Sequence, residues 1–267
     1  MLSYKNIILA ALLSSAGTGA ALADTTLVND TFASGTNPGW VTNDNSIANS
    51  GTGGATVTVV TTGTGLDGNA LQFTNTSNNR AMSRTFALTS LAVGDEIELS
   101  MDFRFSTTPV SVSQGFIMGL FNSSLEEGVR VGVNPAGATG AAGRTVYFGT
   151  DFAATNIGSS YVTSDLGTTA HSATVTITRT SATTLDITSN LSGASITRTA
   201  TLSELFGFDT IFVGMSGSGN QGAFFVDDVL ITTTVTAVPE PSAAAAMAGL
   251  VVVGIAVLRR RARLSRV

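Results

Sequence analysis

Apolar and polar residues alternate with a period of two through the middle of the chain. Residues 96–105 alternate without error and put Ile97, Leu99, Met101, Phe103 and Phe105 on one face, which predicts a strand with one wet side. Further alternating runs fall at residues 55–61, 70–74, 82–88, 129–133, 174–179, 184–188, 195–199 and 224–232. Thr, Val, Ile and Phe dominate them, as a pleated and half-buried surface favours. Residues 114–121 are apolar on both faces, which predicts a central strand covered on each side. Turn signals separate the runs: Gly63-Thr64-Gly65, Asp67-Gly68-Asn69, Ser77-Asn78-Asn79, Val93-Gly94-Asp95, Ser192-Gly193 and residues 217–220. Only residues 201–206 hint at a helical turn. Ten or more short strands without intervening helices predict an all-β fold, an antiparallel β-sandwich of one domain over residues 24–236. Residues 134–143 read as a flexible loop, and they lack the Gly-Lys-Ser/Thr ending of a phosphate loop.

Both ends break this pattern. Lys5, the apolar run 7–13 and small residues ending in Ala21-Leu22-Ala23 before Asp24 form a secretory signal peptide, residues 1–23, for signal peptidase to remove. At the other end Val238-Pro239-Glu240-Pro241-Ser242 precedes the sixteen uncharged residues 243–258, and Arg259, Arg260, Arg261 and Arg263 follow. As a helix that run rises ~24 Å at ~1.5 Å per residue, against a hydrocarbon core of ~30 Å. It spans the membrane with snorkelling arginines and some bilayer thinning, its C-terminus in the cytoplasm and Asp24 onward outside.

Composition sharpens the picture. The chain has 267 residues, no Cys and one His, which removes disulfide scaffolds, zinc-thiolate sites, cysteine nucleophiles and multi-histidine metal centres. Its mean hydropathy of +0.32 comes from the two ends. Between Asp24 and Val238, 17 acidic residues stand against 7 arginines, a net charge of about −10 that excludes nucleic acid as a partner and disfavours anionic lipid.

The tail, with its Pro239-Glu240-Pro241 motif, apolar helix and arginine cluster over residues 237–267, resembles the PEP-CTERM sorting domain of exopolysaccharide-producing Gram-negative bacteria. The resemblance implies that the chain is the substrate of an exosortase, a membrane transpeptidase-like enzyme. The implied route is export, transient retention in the inner membrane, processing near the motif, and delivery to the cell surface or extracellular matrix. A second resemblance concerns the middle. Leu27-Val28-Asn29-Asp30-Thr31-Phe32 with Gly35 and Trp40 looks like the opening strand of carbohydrate-binding jelly rolls, and Phe225-Val226-Asp227-Asp228-Val229-Leu230 looks like their closing strand. Asp102-Phe103-Arg104-Phe105, Gly119-Leu120-Phe121-Asn122 and the strand after His171 are similar to concanavalin-like lectin and glucanase domains. This likeness implies a structural calcium, with Asp227 the leading ligand and Asp30 or Asp228 contributing. Oxygen ligands suit such a hard cation. The plainer reading is that Asp227 and Asp228 cap a strand end in water, with no cofactor at all.

Glycoside hydrolysis needs two carboxylates ~5 to 9.5 Å apart. Glu96, Glu98 and Asp102 share one strand face, Glu96 and Glu98 about 6.6 Å apart along it. The Glu-x-Asp-x-x-Glu signature of the glucanases with this fold is missing, because Glu98 and Met101 stand at the expected places. His171, the single imidazole, precedes a strand with no nucleophile elbow anywhere in the chain, so a surface or strand-edge position is expected. Trp40, Tyr147 and Tyr161 are the candidates for stacking on sugar rings, Trp40 being equally suited to the core. The expected function is a non-catalytic structural or adhesive role at the surface or in the matrix, in contact with exopolysaccharide. Its rivals are a lectin-like module with a defined glycan and a weak glycoside hydrolase or lyase.

Overall fold

The computed structural model describes residues 23–43, 56–75, 80–106, 115–122, 127–134, 144–151, 159–161, 168–191, 193–201, 207–216, 222–236, 250–251 and 254–255. Residues 1–22 of the expected signal peptide, the motif at 238–242, the arginine cluster and residues 202–206 lie outside them, as does nearly all of the 134–143 loop; Ala23, the last residue of that peptide, opens the first strand. The chain divides into two compact units, one of Asp24–Val235 and one of Met1–Ala23 with Thr236–Val267. In the second, residues 250–251 and 254–255 are helical and Leu250, Val251 and Ile255 are exposed. Among the described residues no helix is long and apolar enough to cross a membrane.

The described residues of the first unit form fifteen strands, the first of which begins one residue before it, at Ala23. They are β1 (Ala23–Asp30), β2 (Val41–Asn43), β3 (Thr56–Val60), β4 (Ala70–Asn75), β5 (Arg80–Ser90), β6 (Glu96–Phe105), β7 (Gly115–Phe121) and β8 (Glu127–Asn134), then β9 (Arg144–Asp151), β10 (Ser159–Tyr161), β11 (His171–Arg179), β12 (Thr184–Leu191), β13 (Ala194–Thr201), β14 (Gly207–Ser216) and β15 (Gly222–Val235). One sheet has eight strands in the order β13-β12-β11-β6-β15-β4-β3, with β1 also on β15; the other has seven, β10-β9-β8-β7-β14-β5-β2. Every registered pairing is antiparallel. Each strand predicted from the hydrophobic pattern forms; β1 is expected from the resemblance alone, and β2, β9, β10 and β14 are additions that neither singles out.

The sheets face each other across one core. Its buried residues come from β1, β4, β6, β11, β12, β13 and β15 of one sheet, from β5, β7, β8 and β14 of the other, and from Phe32, Trp40 and Leu91 in the connections. Phe103 of β6 stacks on Phe116 of β7 with ring centroids 3.9 Å apart, and Phe224 of β15 meets Phe116 edge-on. Among the residues whose side chains are described, ten phenylalanines are buried, each stabilising the sandwich by ~1.5–3 kcal/mol through the area it removes from water. β7 is the middle strand of its sheet, and it is apolar on both sides for a reason. Phe116, Met118 and Leu120 enter the main core, while Ile117 and Phe121 join Ala81 and Phe212 in a second buried cluster on the opposite face.

Candidate functional site

The outer face of the eight-stranded sheet is a polar lattice. Alternation on β6, β11 and β12 buries one residue and leaves the next mostly half-buried on the outer side, so register lines the outward residues into rows. One row runs Thr232, Glu98, Thr176, Thr188 and Thr197, and the next runs Thr234, Glu96, Thr178, Asp186 and Thr199. Side chains in these rows bond to one another. Thr176 donates to Oε2 of Glu98 and Thr178 to Oε2 of Glu96, each at 3.0 Å. Thr199 donates to Asp186 at 2.6 Å, Thr234 donates to Asp24 at 2.8 Å, and Thr188 and Thr197 share a bond of 2.9 Å. With those protons committed to its own carboxylates, the lattice offers outward mainly oxygen lone pairs. No aromatic residue and no lysine or arginine stands in either row.

At one end of this face β15 bulges. Asp227 pairs with Asp102 and Leu230 with Ser100, so one extra residue is accommodated between them. Asp228 takes up the change with φ of 49°, a left-handed conformation that Asp tolerates better than most side chains. The bulge lets Val226 and Val229 both enter the core. Asp227 is 2% exposed and accepts the N–H of Asp228 at 2.8 Å. Burial pushes its carboxyl up to about 6; the Asp228 N–H works against that, and the charges of Asp228, Asp102 and Asp67 add to it. Arg104, two residues beyond Asp102, donates from Nη1 to the carbonyl of Thr64 at 2.6 Å and from Nε to the carbonyl of Thr168. Its guanidinium also lies 5.9 Å from the ring of Phe225. Gly65, with φ of 67°, passes so close to this guanidinium that a Cβ would overlap it.

The remaining candidates fall elsewhere. Trp40 is 2% exposed and donates from Nε1 to Oδ2 of Asp30 at 2.9 Å, so of its two expected places it takes the core and not a sugar-stacking face. Asn37 holds it in place, accepting the N–H of Trp40 at 2.7 Å and donating to its carbonyl at 2.8 Å. Asp30 also pairs with Arg84. Asp30 is thus engaged by both Trp40 and Arg84, and among the described residues no three His, Cys, Asp or Glu side chains are grouped to hold a metal. His171 opens β11, the strand-end alternative of its two expected positions, and it is 8% exposed and 5.5 Å from the Phe103 ring rather than on the surface. Tyr147 sits opposite Gly132 on β9 and Tyr161 opposite Arg144 on β10; their side chains lie outside what the structure describes. Sequence reasoning also passed over Arg104, whose role depends on two loops distant in the chain.

The sandwich is similar to known structures at low sequence identity. The conserved carbohydrate esterase from Shiga toxin-encoding bacteriophage phi24B aligns with a TM-score of 0.53 at 15% identity, covering 80% of this chain and 100% of that one. The Lotus tetragonolobus seed lectin aligns at 0.51 and 10% identity, covering 80% and 100%. The lectin from Bauhinia forficata in complex with GalNAc aligns at 0.50 and 13% identity, covering 81% and 100%. At such identities the likeness establishes architecture alone, the concanavalin-like jelly roll. No curated protein matches the sequence. Residues 237–261 match the family model of the PEP-CTERM protein-sorting motif, and the chain therefore carries the signal of an exosortase-sorted surface protein.

Proposed function

We propose that the chain is an exported, non-catalytic structural or adhesive protein, held in the inner membrane by residues 243–258, processed by an exosortase near Pro239-Glu240-Pro241, and delivered to the surface or matrix. There the outer face of the eight-stranded sheet contacts exopolysaccharide. The observation that carries the reading is the sorting motif at residues 237–261.

The face decides what kind of contact this is. Sugar hydroxyls donate to the lone pairs that the two rows present, but each such bond only replaces one to water and gains ~0.5–1.5 kcal/mol at best. The rows carry no aromatic ring to add stacking. A single glycan is therefore held weakly, whereas a polymer engaging many copies on one surface is held by the sum of many contacts. That favours a matrix component over a receptor for one defined sugar. Likeness to lectins and to a carbohydrate esterase supports a carbohydrate-facing role. Glu96 and Glu98 each accept a threonine hydroxyl and lack the glucanase signature, which supports the non-catalytic reading.

Replacing Pro239 and Pro241 with Ala in the exporting cell tests the route. Unprocessed protein should accumulate in the inner-membrane fraction, read by blotting fractions against an epitope in the sandwich. Normal release of the variant would overturn the assignment.

A further inference from the structure

Among the described residues of the sandwich, four large hydrophobic side chains are exposed: Val41, Leu88, Val93 and Val235. Three of them gather at one end. Leu88 lies two residues before the end of β5, Val93 stands in the turn between β5 and β6, and Val235 ends β15. Register brings the turn and the strand end together, because Glu96 at the start of β6 pairs with Thr234. Seven residues, 236–242, separate Val235 from the apolar run at 243–258, a reach of at most about 25 Å when fully extended.

The turn is firmly built. Asp95 accepts the Ala92 N–H through its carboxylate at 2.8 Å, and its own N–H donates to the Ala92 carbonyl at 3.0 Å. The Gly94 N–H donates to the Arg179 carbonyl at 2.7 Å, the Arg179 N–H to the Asp95 carbonyl at 3.0 Å, and the Arg179 guanidinium to the Leu91 carbonyl at 2.6 Å. Gly94, with φ of 97°, supplies the left-handed bend. An apolar tip whose backbone groups are already bonded can leave water without stranding polar groups.

We propose that this end of the sandwich, with Leu88 and Val93 at its tip, docks on the outer surface of the bilayer while the chain is still tethered. The proposal rests on the membrane-held stage of the route above. Two side chains bind lipid feebly on their own, but a short tether raises the effective concentration of the surface to the order of millimolar. Because the sandwich carries a net negative charge, the attraction is apolar and holds on zwitterionic lipid at high salt.

The chain has no cysteine, so single labels are clean. The full chain, reconstituted in phosphatidylcholine vesicles, carries a polarity-sensitive fluorophore on Ala92→Cys or on Ala170→Cys, an exposed residue near the other end of β6 and β11. The expected result is a blue shift and quenching by a lipid-borne quencher at position 92, neither at position 170, and loss of both when Leu88→Ser and Val93→Ser are added. Equal signals at the two positions, a water-like signal at position 92, or a shift that survives the serine substitutions would overturn the docking while the tether stands. Failure of the full chain to float with the vesicles would overturn the tethered stage and the docking with it.

Discussion

Asp227 shows how much of a residue's behaviour is set by neighbours far along the chain. A carboxyl that titrates near 3.8 in an unfolded chain is held neutral up to about 6 by burial, with Asp228, Asp102 and Asp67 reinforcing the effect. The fold thus prefers the protonated form. Its contribution to stability is complete below about 3.8 and is lost as pH rises through about 6. Asp227→Asn, neutral throughout, should gain on the parent by on the order of 2 kcal/mol between pH 4 and pH 7. Chemical denaturation of both proteins across that range is the check, and a difference that stays constant would contradict the assignment. Nothing in the local sequence separates Asp227 from Asp228, because the distinction is made by a bulge and by strands β4 and β6. Trp40 and His171 were ambiguous for the same reason: their partners, Asp30 and Phe103, are contributed by other strands.

At the scale of the element, legibility followed burial. β6, wet on one side, was readable to the residue. β14 was not, because Phe208, Ile211 and Val213 enter the main core while Phe212 joins the second cluster, so no alternation remains to be seen. β7 shares that two-sided burial and was readable only as an apolar run. Its second face depends on glycines. A Cβ at Gly128 would lie 2.6 Å from Cγ of Phe121, and one at Gly119 would lie 2.9 Å from Cα of Arg130. The Phe121 ring packs onto bare backbone that only glycine provides. Gly128→Ala should destabilise the sandwich by ~1–3 kcal/mol through overpacking, measured as a lower denaturation midpoint at unchanged slope. A midpoint equal to that of the parent would mean that the ring does not rest there.

At the scale of the whole molecule, the proposal is one of address and cargo. Alternation and composition marked the sandwich, and the order of motif, apolar run and arginines marked the sorting segment that the family model matches at residues 237–261. The partner was less legible, because a face of threonines and carboxylates serves equally as a solvated surface and as a polymer contact; weak bonds repeated over a lattice leave no short signature. Central to the proposed function is that the working protein is the segment between the two apolar ends. The intact mass of the protein recovered from the surface or medium of the exporting cell tests this directly. The mass should correspond to a chain beginning at Asp24 and ending in or near residues 238–242, with any attached glycan as a separate increment. A mass equal to all 267 residues, in protein recovered from the cytosol, would contradict it.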